Sequence, residues 1–95
     1  MGEFRYIVDT SQKAKQELLA YRKAGNKVAV ARIERIYEEL EVHPRIGIGK
    51  PERMKHEEKE RWARRIDQKN RMTYEIEDNI VTVTVVSAMG HYDDK

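Results

Sequence analysis

The sequence predicts an α+β fold: an N-terminal strand, a two-helix hairpin, then a three-stranded antiparallel meander, making a four-stranded sheet. Three observations carry this. Residues 11–41 place apolar side chains at helical spacing, broken once at Gly25-Asn26. Residues 61–87 place them at every second position, broken by polar turns. Phe4 to Asp9 repeats that alternation at the other end of the chain. Ninety-five residues are enough for one modest core and too few for two, so residues 1–95 are expected to form a single domain.

Phe4-Arg5-Tyr6-Ile7-Val8-Asp9 reads as the first strand, with Phe4, Tyr6 and Val8 on one side. Thr10 or Ser11 caps a helix that runs to near Ala24 and buries Ala14, Leu18 and Tyr21. Gly25 ends it and Asn26 caps the next, Lys27 to near Glu41, whose apolar face is Ala29, Ile33, Ile36, Tyr37 and Leu40. His43 precedes Pro44 and is biased away from helix, so the helix stops there, leaving His43 as a solvated residue.

From Pro44 to His56 there is neither a helical nor a strand period, and Ile46 and Ile48 are the expected anchors into the core. Loops of this length are often functional. Glu57-Glu58-Lys59-Glu60 forms a charged bridge. Arg61 to Asp67 is a strand, Gln68-Lys69-Asn70 a turn, and Arg71 to Ile76 the returning strand with Met72, Tyr74 and Ile76 facing the core. Glu77-Asp78-Asn79 turns again, and Ile80 to Ser87 is apolar enough to lie inside the sheet.

Composition excludes several chemistries. The chain has no cysteine, which removes disulfides, thiolate nucleophiles and cysteine metal sites. The histidines, at 43, 56 and 91, have no zinc spacing. No apolar run approaches the roughly eighteen residues of a membrane span, and the N-terminus lacks the apolar core of a signal peptide, so a cytoplasmic location is expected. Net charge is only +2, but residues 43–71 hold ten Lys/Arg against five Asp/Glu, and residues 72–95 hold one against five. The middle of the chain is therefore a basic field suited to a polyanion.

One sheet face collects polar residues: Arg65 and Arg71 from the hairpin, Glu52 and Lys55 from the long loop, His91 and Tyr92 from the end. Such a set can cleave RNA without a metal. A base takes the 2′-hydroxyl proton, an acid protonates the leaving 5′-oxygen, and cations stabilise the phosphorane. Each residue also has a plainer role. Glu52 can neutralise Lys50, Arg53 or Lys55; Arg65 and Arg71 can pair with Glu75 and Asp67 across the sheet; Trp62 belongs in the core; His91 is a solvated terminal residue; Tyr92 can pack the loop. By periodicity alone, a binding module outranks a nuclease.

The motifs in combination change that order. Gly49-Lys50-Pro51-Glu52-Arg53-Met54-Lys55-His56, Trp62-Ala63-Arg64-Arg65-Ile66, Asn70-Arg71-Met72-Thr73-Tyr74 and His91-Tyr92 together resemble the YoeB (Txe) family of toxins, in the RelE/ParE-like superfamily of bacterial type II toxin-antitoxin systems. The resemblance implies a ribosome-dependent endoribonuclease that cuts mRNA in the A site. By position, Glu52 would be the general base, His91 the general acid and Arg71 the stabiliser of the phosphorane. Lys50, Lys55 and Arg65 would hold substrate phosphate, and Tyr92 would position the scissile nucleotide. It implies no cofactor and no metal. The implied partners are a cognate antitoxin, the ribosome with its mRNA, operator DNA through the antitoxin complex, and a second copy in a homodimer; no membrane is implied. The alternative is a toxin or binding protein on the same scaffold without nuclease activity.

The chain departs from the family pattern at Glu58-Lys59-Glu60-Arg61, where a Leu-Ser-Gly-aromatic stretch is usual, so the 57–61 loop is expected to follow a different path. Asn70 stands where histidine is frequent, and Asp93-Asp94-Lys95 extends past the His-Tyr pair.

Overall fold

The computed structural model describes residues 5–55 and 58–90. Ser11 caps helix α1 (Gln12–Lys23) by accepting from the Ala14 amide, and Asn26 caps α2 (Lys27–Val42) by accepting from the Ala29 amide. Between them, Gly25 adopts a φ of +71°, the left-handed conformation that lets a helix end in a tight joint. Of the expected stripes, Ala14 and Tyr21 on α1 and Ala29, Ile33, Ile36 and Leu40 on α2 are buried, while Leu18 and Tyr37 are only partly buried against the same core.

Both helices pack on one face of a mixed sheet with strand order β1-β5-β4-β3-β2. Strand β1 (Ile7–Thr10) runs parallel to β5 (Thr82–Ser87), and Val8 pairs with Val83. Strands β3 (Arg61–Arg65), β4 (Arg71–Glu77) and β5 form the antiparallel meander. The fifth strand, β2 (Glu52–Arg53), is an addition to the four expected; it pairs antiparallel with the outer edge of β3. Two residues are too few to show an alternating pattern, so only the open edge of β3 marks this segment as a strand. Ile80 sits outside β5, in a 3-10 turn at Asp78–Ile80.

The core lies between helices and sheet, with Met72, Tyr74 and Ile76 of β4 and Val83 and Val85 of β5 at its centre. Ile48 packs against it, as expected, but Ile46 does not: its side chain is 62% exposed. What Ile46 contributes is its carbonyl, which accepts from Arg64 Nη2 at 2.8 Å.

Arg64 shares the inward parity of Trp62 and Ile66 and is wholly buried. Its Nε donates to the Tyr74 hydroxyl at 3.0 Å and its Nη1 to Glu39 Oε1 at 2.6 Å. The guanidinium also donates to the carbonyls of His43, Pro44, Ile46 and Ile48. One side chain thus ties β3, β4, α2 and the 43–48 loop together. Gly47 is required here, because a Cβ on it would lie 1.9 Å from Glu39 Oε1 and 2.8 Å from Arg64 Nη1.

A second ionic cluster closes the other side of the loop. Arg45 makes a bidentate contact with Glu60, at 2.7 and 3.0 Å, and reaches Asp78 at 2.8 Å. Glu60 also accepts from the indole of the half-buried Trp62 at 2.8 Å, and its carbonyl accepts from the Ile76 amide. The last acid of the charged bridge is thereby a structural residue.

Removing the guanidinium takes the most closely held donor from the Glu39 carboxylate and leaves the Ile46 and Ile48 carbonyls without theirs. Arg64→Ala is therefore expected to cost about 3–5 kcal/mol in urea unfolding. Arg64→Lys should recover little, since one ammonium cannot reach Glu39, Tyr74 and the loop together.

Burial pushes the Glu39 carboxyl up, but the Ile48 amide and the Arg64 guanidinium outweigh it and hold its pKa below the ordinary 4.5. Arg45, with a smaller opposing effect of burial, holds Glu60 below that value too. The unfolded chain takes up these two protons first as pH falls. Stability is therefore complete above the ordinary carboxylate value and is lost as pH falls from it through the lower folded-state values. Melting temperature against pH should drop through this acid range, and drop less steeply in Glu60→Gln.

Candidate active site

Of the expected polar residues, the face of the sheet away from the helices carries Glu52, Arg65 and Arg71, and strand register fixes their arrangement. Glu52 of β2 stands opposite Ala63 of β3, Ala63 opposite Thr73 of β4, and Thr73 opposite Ser87 of β5. Directly paired residues point to the same side, so these four form one row across the open face. Two residues along from Ala63 and Thr73, Arg65 and Arg71 are themselves directly paired. The row has a floor of buried small residues, Ala63 and Thr73, and the two arginines flank it.

The register slips by one residue between the Thr73–Ser87 and Tyr74–Val85 pairs, leaving Val86 as the extra residue of a bulge. The slip lets β5 keep Val85 in the core while Ser87 joins the row on the open face.

The carboxylates suggested as cross-sheet partners are otherwise engaged. Glu75 stands opposite Arg61, which donates to it through Nε at 3.1 Å and through Nη2; Lys59 lies 4.0 Å away. Asp67 accepts from the Lys69 and Asn70 amides at 2.8 and 2.7 Å. Burial raises the Asp67 carboxyl, and these turn contacts with Asn70 and Lys69 outweigh it, holding it below the ordinary range. Among the described residues, the Arg65 side chain makes no hydrogen bond or ion pair.

The loop that delivers Glu52 is pinned to β3. The Arg65 amide donates to the Gly49 carbonyl at 2.7 Å. A Cβ on Gly49 would lie 2.7 Å from the Arg65 carbonyl, so only glycine allows this approach. Lys50 follows with a φ of +52°, exposed beside the arginine pair's strand, and Lys55 is exposed in the turn just beyond β2.

At the other end of the row the chain is clamped after β5. The Ala88 amide donates to Glu17 Oε1 at 2.6 Å, and the Ala88 carbonyl accepts from the Tyr21 hydroxyl at 2.7 Å. Burial pushes the Tyr21 phenol up to about 12, so it remains a donor. The Gly90 amide donates to Asn70 Oδ1 at 3.0 Å, and the Gly90 carbonyl accepts from the Arg71 amide at 2.9 Å. His91 and Tyr92 lie outside the described residues.

The structure thus brings Glu52, Arg65 and Arg71 onto one face, with Lys50 and Lys55 on the loop that bounds it. Four residues that hold this arrangement were not singled out as functional from sequence: Gly49, Asn70, Glu17 and Tyr21. Gly49 and Asn70 had a signal in their places within the motifs, Asn70 where histidine is frequent; Glu17 and Tyr21 had none beyond their helix. Asn70→Ala should speed hydrogen exchange at the Gly90 amide while leaving the Thr84 amide inside β5 unchanged. The loss of stability should be about 1 kcal/mol for the acceptor removed.

Comparison with known proteins follows the same outline. A family model described as the YoeB-like toxin of bacterial type II toxin-antitoxin systems matches residues 11–92. Toxin YoeB of Mycobacterium bovis is 36% identical over 85 residues, covering 90% of this chain and 96% of the relative. The YoeB dimer from Staphylococcus aureus superposes with a TM-score of 0.79 at 25% identity, over 93% of this chain and 99% of the other. The toxin in the YoeB-YefM complex from the same organism gives 0.75 at 27% identity, with the same coverage.

Proposed function

Because the chain belongs to the YoeB-like toxins of bacterial type II toxin-antitoxin systems, we propose that it is a ribosome-dependent endoribonuclease. It cuts mRNA in the decoding site and so arrests translation. The observation that carries this reading is the single row on the open face, with Glu52 at one end and the Arg65–Arg71 pair beside it.

Glu52 takes the proton of the 2′-hydroxyl, and the 2′-oxygen attacks the adjacent phosphorus. The P–O5′ bond breaks, and the 5′-oxygen leaves with a proton from His91. The products are a 2′,3′-cyclic phosphate and a 5′-hydroxyl. Arg71 stabilises the charge that builds on the phosphorane, where fixed cations act most strongly. Arg65, Lys50 and Lys55 hold substrate phosphate, and Tyr92 positions the scissile nucleotide. Strands β2 and β4 are two sheet spacings apart, about 10 Å. That gap suits a phosphodiester gripped by side chains from both edges. Supporting the role of His91 is its place in the chain directly after Gly90, whose carbonyl is bonded to the Arg71 amide.

The partners proposed are a cognate antitoxin that covers this face and the bacterial ribosome that presents the message. A YoeB-YefM complex is known for the Staphylococcus aureus relative, and a YoeB dimer from that organism supports self-association as a further state.

The test is primer-extension mapping of a defined mRNA on bacterial 70S ribosomes, with wild type beside Glu52→Gln and His91→Ala. Wild type should cut at a fixed register within the A-site codon. Each variant should lose about 100-fold or more in rate, the usual worth of a general acid or base. Intact message together with arrested growth would refute the nuclease reading and favour a toxin acting through contacts alone.

A further inference from the structure

Where β3 ends, the basic face turns the corner of the sheet toward α2. A groove of about 220 Å³ lies there, lined by Arg32 of α2 and by Arg65, Ile66, Asp67 and Gln68. Arg32 and Arg65 come from different layers of the fold, yet both line the same groove. Most arginines of this chain are committed within it: Arg22 to Glu34, Arg35 to Glu39, Arg45 to Glu60, Arg61 to Glu75 and Arg64 to Glu39. Among the described residues, Arg32 and Arg65 have no side-chain hydrogen bond or ion pair. The one carboxylate in the groove, Asp67, is spent on the Lys69 and Asn70 amides of its own turn.

Two arginines with no partner among the described residues, lining one groove, fit an oxyanion. Arginine binds phosphate through a planar fork of donors and suits a backbone that passes without being read. We propose that this groove binds a phosphodiester of the substrate strand next to the one held at the open face. Arg32 is then an RNA-binding residue on the helical layer. The strand leaves the row between Glu52 and Arg71, crosses Arg65, and turns over the end of β3 to reach Arg32. This rests on the ribonuclease reading for the direction of the strand, and it adds a phosphate site that the sheet face does not contain.

The probe is a fluorescently labelled single-stranded 2′-O-methyl RNA oligonucleotide, which has no free 2′-hydroxyl and cannot be cut. Its binding is followed by anisotropy over a salt series for wild type, Arg32→Gln, Arg32→Glu and Arg32→Lys. Arg32 is exposed, so the variants should melt as wild type does. Arg32→Gln should reduce the slope of log K against log salt by about 0.7, the value of one phosphate neutralised on a single strand. Arg32→Glu should weaken binding about tenfold, as expected when a charge-assisted hydrogen bond is removed, and Arg32→Lys should keep the slope. On programmed ribosomes, Arg32→Glu should raise KM and leave kcat in place. An unchanged slope in Arg32→Gln overturns the proposal. So does a loss of affinity seen with polyglutamate while RNA binding stays intact, because the groove would then serve an acidic polypeptide. A wild type that binds the oligonucleotide through Arg32 but cuts no message refutes the ribonuclease reading and leaves the groove standing.

Discussion

The buried guanidinium of Arg64 is the group on which the rest of the molecule depends. A charge placed between a sheet and a helix is tolerated only when every donor finds an acceptor. Here the acceptors are Glu39, Tyr74 and carbonyls of the 43–48 loop. The loop has no regular backbone pairing of its own, and the guanidinium supplies donors to its carbonyls, with the Tyr74 hydroxyl adding a second donor at Pro44. The two problems solve each other: the cation needs oxygens, and the irregular loop has oxygens to spare. Gly47 is bare because the Glu39 carboxylate and the guanidinium occupy the space where a side chain would go.

That arrangement carries over to the open face through the alternation of one strand. Ala63 and Arg65 point away from the helices because Arg64 points toward them. The Arg65 amide holds the Gly49 carbonyl, and three residues later the chain presents Glu52 opposite Ala63. The position of the carboxylate is therefore set by a loop fastened at both ends, to Arg64 at its start and to β3 at its finish. The arginine pair needs no such loop, since Arg65 and Arg71 are fixed by the register of a short hairpin.

The far end of the row is built differently. Helix α1 reaches across with Glu17 and Tyr21 to take both backbone groups of Ala88, and the hairpin turn takes both backbone groups of Gly90. Four hydrogen bonds to two residues leave the chain little freedom just before its last five. The Arg45 cluster plays the complementary role at the opposite edge, where Glu60 joins the loop, Trp62 and Asp78 through one guanidinium. In each case a polar side chain fixes backbone that no strand or helix would fix.

The helices, their caps, the meander and the inward face of β4 were legible in the sequence, because periodicity and capping are local properties of the chain. Ser11, Asn26 and Gly25 mark their ends by conformational preference alone. The motifs that suggested Glu52, Arg65 and Arg71 were legible too, as residue types in order. Tertiary structure alone decided the rest. It made a strand of Glu52–Arg53, because only the edge of β3 could pair it. It left the Ile46 side chain in solvent and used its carbonyl, because Arg64 needed an acceptor there. It committed Glu75 to Arg61 and Asp67 to its own turn, taking both away from Arg65. Sequence spacing assigns a side chain to a face, but which partner it meets depends on residues distant in the chain, and those distances exist only once the layers have packed.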